Sequence, residues 1–290
     1  MNSYDYVLEK RLNELDKNLS KIFTNIVFSM QFILSRYKVI FPYFTDHTIV
    51  HSLNVIEFCN KIIGEDVKKL NADEIFILLF GCYLHDSGMG ISLDDYIEFS
   101  KKLELTNCFD NKRKSDVFSI VRNYHHEYSG QFVEKYGDFF EISTEKHKFA
   151  IKQVCRGHRK VNLEDENEFP SEYKLDNGNI VRLPYLAAII RLADEIDVTA
   201  NRNSLIEFDY TTLENEIDLL EFMKHDAVKD LIITDDAFIM KAKTDDQKVI
   251  KALDLVKNKM QKTLDECRKV VNGKAPFEIR QAKILIEYID

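Results

Sequence analysis

The 290-residue chain is 45% hydrophobic and 31% charged, with only 4 Pro and 9 Gly. This balance excludes disordered, collagen-like and disulfide-scaffold classes and allows a sizeable buried core. The net charge of −9 opposes non-specific nucleic-acid binding but leaves a small anionic ligand open, and five scattered cysteines with no CxxC pair point to reduced thiols in the cytosol.

The first residues, MNSYDYVLEK, carry acids and no apolar run, so no signal peptide is expected and the chain is placed in the cytoplasm. Leu8, Leu12, Leu15, Leu19, Ile22, Phe23 and Ile26 recur at three- and four-residue steps and predict an amphipathic N-terminal helix. Its apolar face suits core packing, and it could also pair two copies in a homodimer. A second helix is predicted from about Thr45 to Ile63, and a third from Asn71 to about His85, opened by the capping-box spacing of Asn71 and Glu74. Within the third, Ile75 to Leu84 is apolar all round but too short to cross a bilayer, so it reads as a helix buried at the centre of the core. Ser92 with Asp95 opens a further helix, and helical patterns follow over 115–137, 143–157 and 183–200, with a minor hairpin at Tyr173 to Arg182.

Beyond about residue 205 the texture changes. Leu231-Ile-Ile-Thr and Phe238-Ile-Met-Lys flank Asp235-Asp236-Ala237 as a β-hairpin, a long amphipathic helix runs through Val249 to Val271, and Ile279 to Tyr288 alternates like a strand. The predicted fold is therefore mainly α, with residues 1–205 forming a helical domain and 206–290 a small α/β appendage.

Phosphate-loop, dinucleotide, nucleophile-elbow and HExxH motifs are all absent, so the chemistry rests on histidines and carboxylates. His47 and His51 lie one helical turn apart, about 6 Å on one face, a weak metal signal alone. His85-Asp86 is sharper. It falls at the end of the buried helix, where an imidazole and a carboxylate are costly to bury unless a cation joins them. His125-His126-Glu127, His158 and Asp194 supply further donors, and a carboxylate with two oxygens can bridge two ions. Asp194 interrupts an apolar helical run, so it either meets a cation or pairs with Arg191 or Arg202. His147 and His225 have no acidic or histidine residue arranged with them as a donor set and read as surface residues, as does the run Lys112-Arg113-Lys114.

The ordered set His51, His85-Asp86, His126, His158 and Asp194 resembles the signature of the HD superfamily of metal-dependent phosphohydrolases. The segments around His51, His85, His125 and Asp194 are most similar to its HD-CE branch. The resemblance covers roughly residues 40–203. Members of that branch are often joined to an Hsp90-like ATPase module; these 290 residues contain none, so a stand-alone version is expected.

The resemblance implies a helical core whose metal ligands are His51, His85, Asp86, His126, His158 and Asp194. They would hold one or two divalent ions, with Mn or Fe favoured and Ni, Co or Zn also suited. It further implies hydrolysis of a nucleotide or nucleotide-like phosphoester by metal-acidified water, with Asp86, His126 and Glu127 at the reacting centre. His47, His125 and Asp197 would support the ligands. Arg156, Arg159 and Lys160, with Arg202, are candidates for holding substrate phosphates, although Arg202 also suits orienting the Asp194 helix. The DGxGYP stretch of cyclic-di-GMP phosphodiesterases is missing after His158, where Arg-Lys-Val-Asn-Leu follows. The alternative is an HD-fold regulatory or ligand-sensing module with little turnover.

Overall fold

The computed structural model describes residues 7–41, 45–105, 114–142, 144–202, 216–275 and 277–290. Cys108, Lys112, Arg113 and the expected boundary near residue 205 lie outside them. The N-terminal apolar pattern folds as two helices, α1 (Val7–Leu15) and α2 (Lys17–Ser35). The break falls at Asp16, whose extended backbone lets its carboxylate accept hydrogen bonds from the amides of Asn18 and Leu19. An N-cap of this kind offsets the four orphan amides that open a helix and stabilises it by about 1 kcal/mol. Leu8 and Leu12 in α1, and Phe23, Ile26, Met30 and Leu34 in α2, are buried, whereas Leu15 beside the break is exposed.

Helix α3 (Ile49–Ile63) begins later than the apolar pattern suggested, because Thr48 accepts from the Val50 amide while Asp46 accepts from the Thr48 amide and hydroxyl. Helix α4 (Ala72–Leu84) opens on the expected reciprocal box. The Asn71 side chain accepts from the Glu74 amide, and the Glu74 carboxylate accepts from the Asn71 amide. Every residue from Asp73 to Leu84 is buried. Each large apolar side chain among them contributes roughly 2 kcal/mol of burial.

Helices α5 (Leu93–Lys102), capped by Ser92, α6 (Lys114–Tyr136) and α7 (Glu145–Gly157), capped by Thr144, follow. A short hairpin of β1 (Tyr173–Lys174) and β2 (Ile180–Val181) leads into α8 (Leu183–Ile196). Helix α4 is packed on α1, α2, α3, α7 and α8, so its C-terminal end opens into the middle of the helical layer.

The remainder is α9 (Glu216–Ala227), β3 (Val228–Ile233), β4 (Ala237–Ala242), α10 (Gln247–Val271) and β5 (Lys283–Tyr288). The sheet order is β3-β4-β5, with β3 antiparallel to β4, and β5 returning parallel to β4 after the α10 crossover. The last strand starts later than its alternation suggested. Side chains hold the preceding backbone instead: Asn272 bonds both the amide and the carbonyl of Ile279, and Gln281 donates to the Thr234 carbonyl. Helix α10 also packs against α8, so apolar residues of both parts share one buried cluster. Among the described residues no single helix is long and apolar enough to cross a membrane.

Candidate metal centre

Four helix ends and one tight turn bring the chemistry together. His51 lies in the first turn of α3, and His85 caps the end of α4, its amide bonded to the Gly81 carbonyl. Asp86 follows and leads into a 3-10 turn, Ser87–Met89. His158 caps the end of α7, and Asp194 sits in the last turn of α8.

Helix α6 is docked onto the turn at backbone distance. A Cβ on Gly88 would lie 2.2 Å from the His125 carbonyl oxygen and 2.6 Å from the Ser129 nitrogen, so only glycine fits. The Ser129 hydroxyl donates to the His85 carbonyl (2.5 Å) and accepts from the Gly88 amide (2.9 Å). One turn earlier on α6, this docking sets His125 over Asp86.

The donor atoms fall into two groups that share Asp86, each with all its members within 4.8 Å of one another. In the first, His51 Nε2 lies 3.2 Å from His85 Nε2, 3.2 Å from Asp194 Oδ1 and 3.5 Å from Asp86 Oδ2. In the second, Asp86 Oδ1 lies 3.4 Å from His125 Nε2 and 3.7 Å from His158 Nε2, and those two nitrogens are 2.9 Å apart. The two oxygens of one carboxylate thus face different groups.

The other ring nitrogens decide the tautomers. Nδ1 of His85 faces the Cys82 carbonyl (2.9 Å), Nδ1 of His125 the Arg122 carbonyl (2.8 Å) and Nδ1 of His158 the Cys155 carbonyl (2.6 Å). Nδ1 of His51 faces the Asp197 carboxylate at 2.7 Å. A carbonyl or carboxylate oxygen here only accepts, so each Nδ1 carries the hydrogen and a neutral ring presents a bare lone pair at Nε2. Orienting contacts of this type are what hold imidazoles as metal ligands.

Burial lowers the pKa values of His125 and His158, keeping these rings neutral, with neighbouring cationic or imidazole groups adding to the effect. Burial would raise the pKa of Asp86, but His85, His51 and His47 outweigh it and hold the carboxyl well below its ordinary range. Asp194 follows the same pattern, with His51 and His85 overcoming burial. For His51 itself, burial and Arg202 push the pKa down, but the three carboxylates of Asp194, Asp197 and Asp86 hold it well above its ordinary value.

Of the expected residues, His51, His85, Asp86, His158 and Asp194 converge, and Asp194 pairs with neither arginine. Arg191 donates instead to the carbonyls of Gly157 and Val161. The α6 histidine that faces the groups is His125 rather than His126. The His126 Nε2 lies 3.7 Å from Glu127, its Nδ1 is buried without a partner, and burial, His125 and nearby arginines push its pKa down to about 3. His47 points its Nδ1 at the Thr45 carbonyl and its Nε2 toward Arg202, with Asp86 3.9 Å away.

Three of the charged candidates are already engaged. Arg156 binds Glu127 in a two-pronged pair (2.8 and 3.0 Å) and reaches Glu168, which occupies both the arginine and the glutamate. Arg202 donates to the carbonyls of Asp46 and Asp197, so it braces the Asp197 turn rather than facing the cluster. Arg159 and Lys160 line a cleft of about 510 Å³ that begins at His158.

Two histidines read as surface residues are not. His147 is buried, with Nε2 2.7 Å from Asp73, whose other oxygen accepts from Asn177 and Asn179 of the β1–β2 turn. Its Nδ1 meets the nearby Thr144 hydroxyl (2.8 Å), but the carboxylate that buries it stands some seventy residues earlier, beyond any local scan. His225 is half-buried, bonds the Val198 carbonyl at 3.0 Å and is pushed down to about 4 by burial and then by Arg202. Two supporting residues carried no sequence signal: Asn54, whose amide reaches Asp197, and Ser129, detectable only as the residue one turn after His125.

A family model described as HD-CE matches residues 41–266. The chain belongs to the HD-CE family. No curated protein and no solved structure matches it. As an HD-CE chain it is an HD-type helical protein, and the matched segment holds every donor of both groups while continuing through α9, β3, β4 and most of α10.

Proposed function

We propose that this HD-CE chain is a metal-dependent phosphohydrolase acting on a small nucleotide or nucleotide-like phosphoester. One or two divalent ions would be held by His51, His85, Asp86 and Asp194 on one side, and by Asp86, His125 and His158 on the other. The observation that carries this reading is the inward convergence of four imidazole Nε2 lone pairs and two carboxylates. Nitrogens 2.9 and 3.2 Å apart repel one another unless a cation lies between them or one ring is protonated. Mixed imidazole and carboxylate donors suit Mn, Fe, Co, Ni or Zn better than Mg or Ca, and Mn or Fe is favoured. When bound, the ion supplies a water acidified toward a pKa of about 7 and neutralises phosphate oxygens.

The chain's own residues do the rest. The carbonyls of Cys82, Arg122 and Cys155 and the carboxylate of Asp197 keep the hydrogens on Nδ1, so the inward nitrogens remain donors to a cation. Asp86 spans the two groups, and Arg202 and Asn54 brace Asp197 against His51. Arg159 and Lys160, beside His158, are placed to hold substrate phosphate. The four cysteines among the described residues are buried free thiols, which fits a reducing compartment and, on this reading, a cytoplasmic protein.

The test is to purify the chain, measure metal per protein by mass spectrometry, and screen a panel of nucleotides and phosphoesters with Mn added. Bound metal with turnover that disappears in Asp86→Asn is the expected result. Metal without turnover on any phosphoester would replace this reading with a ligand-sensing module, and no metal at all would remove the hydrolase.

A further inference from the structure

The cleft at His158 has walls of different origin. One is the turn that follows α7, the second is α8, and the third is α10 from the C-terminal part. Six cationic and three acidic side chains line it, a local positive excess on a chain whose net charge is −9. Part of that charge is spent internally, since Lys269 pairs with Glu164 and Lys259 with Glu195. Arg159 and Lys160 have no side-chain partner among the described residues, and Lys262 stands 3.9 Å from Glu266 at the limit of an ion pair. No phenyl, phenol or indole ring lines the cleft, so a nucleobase would find nothing to stack on there. A volume of about 510 Å³ nevertheless falls within the range of small-molecule sites.

We infer that this cleft seats a chain of two or three phosphates, the non-reacting anionic arm of the substrate, between Arg159 and Lys160 on one wall and Lys262 of α10 on the other. This rests on the phosphohydrolase reading above and makes the C-terminal part a wall of the substrate site. A guanidinium and two ammonium groups facing one cleft match successive phosphates, and a single phosphate would engage only part of them.

The experiment titrates inorganic tripolyphosphate into chelator-treated full-length protein by calorimetry, so that binding is read without metal or turnover. Tripolyphosphate is expected to bind at least tenfold tighter than orthophosphate. Each of Arg159→Ala and Lys262→Ala is expected to weaken it about tenfold, the worth of one charge-assisted hydrogen bond, while Lys146→Ala, on a lysine held by Asp176, leaves it unchanged. A nucleoside triphosphate binding within about twofold of tripolyphosphate would mark the phosphate chain as the recognised part, as no phenyl, phenol or indole ring lines the cleft. A nucleoside triphosphate that binds far more tightly, failure of tripolyphosphate to bind, or equal binding by an Arg159→Ala/Lys262→Ala double variant would overturn the inference. Asp86→Asn separates the two readings, because it is expected to lose metal and keep tripolyphosphate. Wild-type protein that binds tripolyphosphate but never holds metal would sink the phosphohydrolase and leave the cleft standing.

Discussion

A methyl group added at Gly88 would meet the His125 carbonyl oxygen at 2.2 Å, the Ser129 nitrogen at 2.6 Å and Tyr128 Cβ at 2.8 Å. Two of these atoms are α6 backbone, so no rotamer change relieves the contact. Either α6 or the Ser87–Met89 turn must retreat by roughly 1 Å to reach ordinary van der Waals separation. Overpacking of side chains costs about 1–3 kcal/mol, and a rigid backbone neighbour puts Gly88→Ala at the upper end, about 3 kcal/mol. For a protein of this size that is roughly 5 °C in Tm.

The same retreat stretches both Ser129 bonds and carries His125 away from Asp86, now 3.4 Å distant. Metal sites tolerate displacements of only about 0.2 Å, so the Asp86, His125 and His158 group should fail first, and metal per chain should fall toward one ion. Thermal melting and metal mass spectrometry read both effects. Gly81→Ala is the comparison. Its closest contact is the Val154 side chain at 2.7 Å, which can turn aside, so the cost should be about 1 kcal/mol with metal content intact. If Gly88→Ala melts within about 2 °C of the parent and keeps its full metal, the docking argument is wrong.

The two α6 histidines should separate cleanly. His125→Ala is expected to lower bound metal by one ion, while His126→Ala leaves metal content unchanged; the reverse order in mass spectrometry would reassign the ligand. His147→Ala should retain metal but lose about 2 kcal/mol in urea unfolding, since it strips a hydrogen bond from the buried Asp73 carboxylate. Burial alone would raise the Asp73 pKa, but hydrogen bonds from His147, Asn179 and Asn177 hold it down at about 2. A carboxyl depressed in the folded state stabilises above its unfolded pKa of about 3.9 and loses that contribution as pH falls toward 2. The stability advantage of the parent over Asp73→Asn should therefore be about 2 kcal/mol at pH 6 and shrink between pH 4 and pH 2. A gap that stays constant with pH would exclude this linkage.

Local chemistry was well announced. The Asn71–Glu74 box, the Ser92 cap and the uninterrupted apolar run of α4 involve residues within four positions of one another or one element's own composition, and they appear in place. The order of His51, His85-Asp86, His158 and Asp194 likewise marked the residues that meet. The N-terminal pattern was less complete. Its apolar spacing continues across Asp16, yet a carboxylate able to accept two amides makes a new helix start there.

The sequence by itself determined the helical class, the caps that open α4 and α5, and five of the six donors that gather at the cluster, because each of these is a property of neighbouring side chains. It assigned the ligand role on α6 to His126, whereas His125, about 100° away around the helix axis, is the one that faces the donor groups. That orientation is set by the approach of α6 to Gly88. Nor could it foresee that Arg156 would neutralise Glu127, that Arg202 would brace a turn, or that His147 would find Asp73, since those partners are set by the packing of helices far apart in the chain. Only the folded arrangement decides which charges remain free to meet a ligand. A buried charge takes whatever partner packing brings within reach.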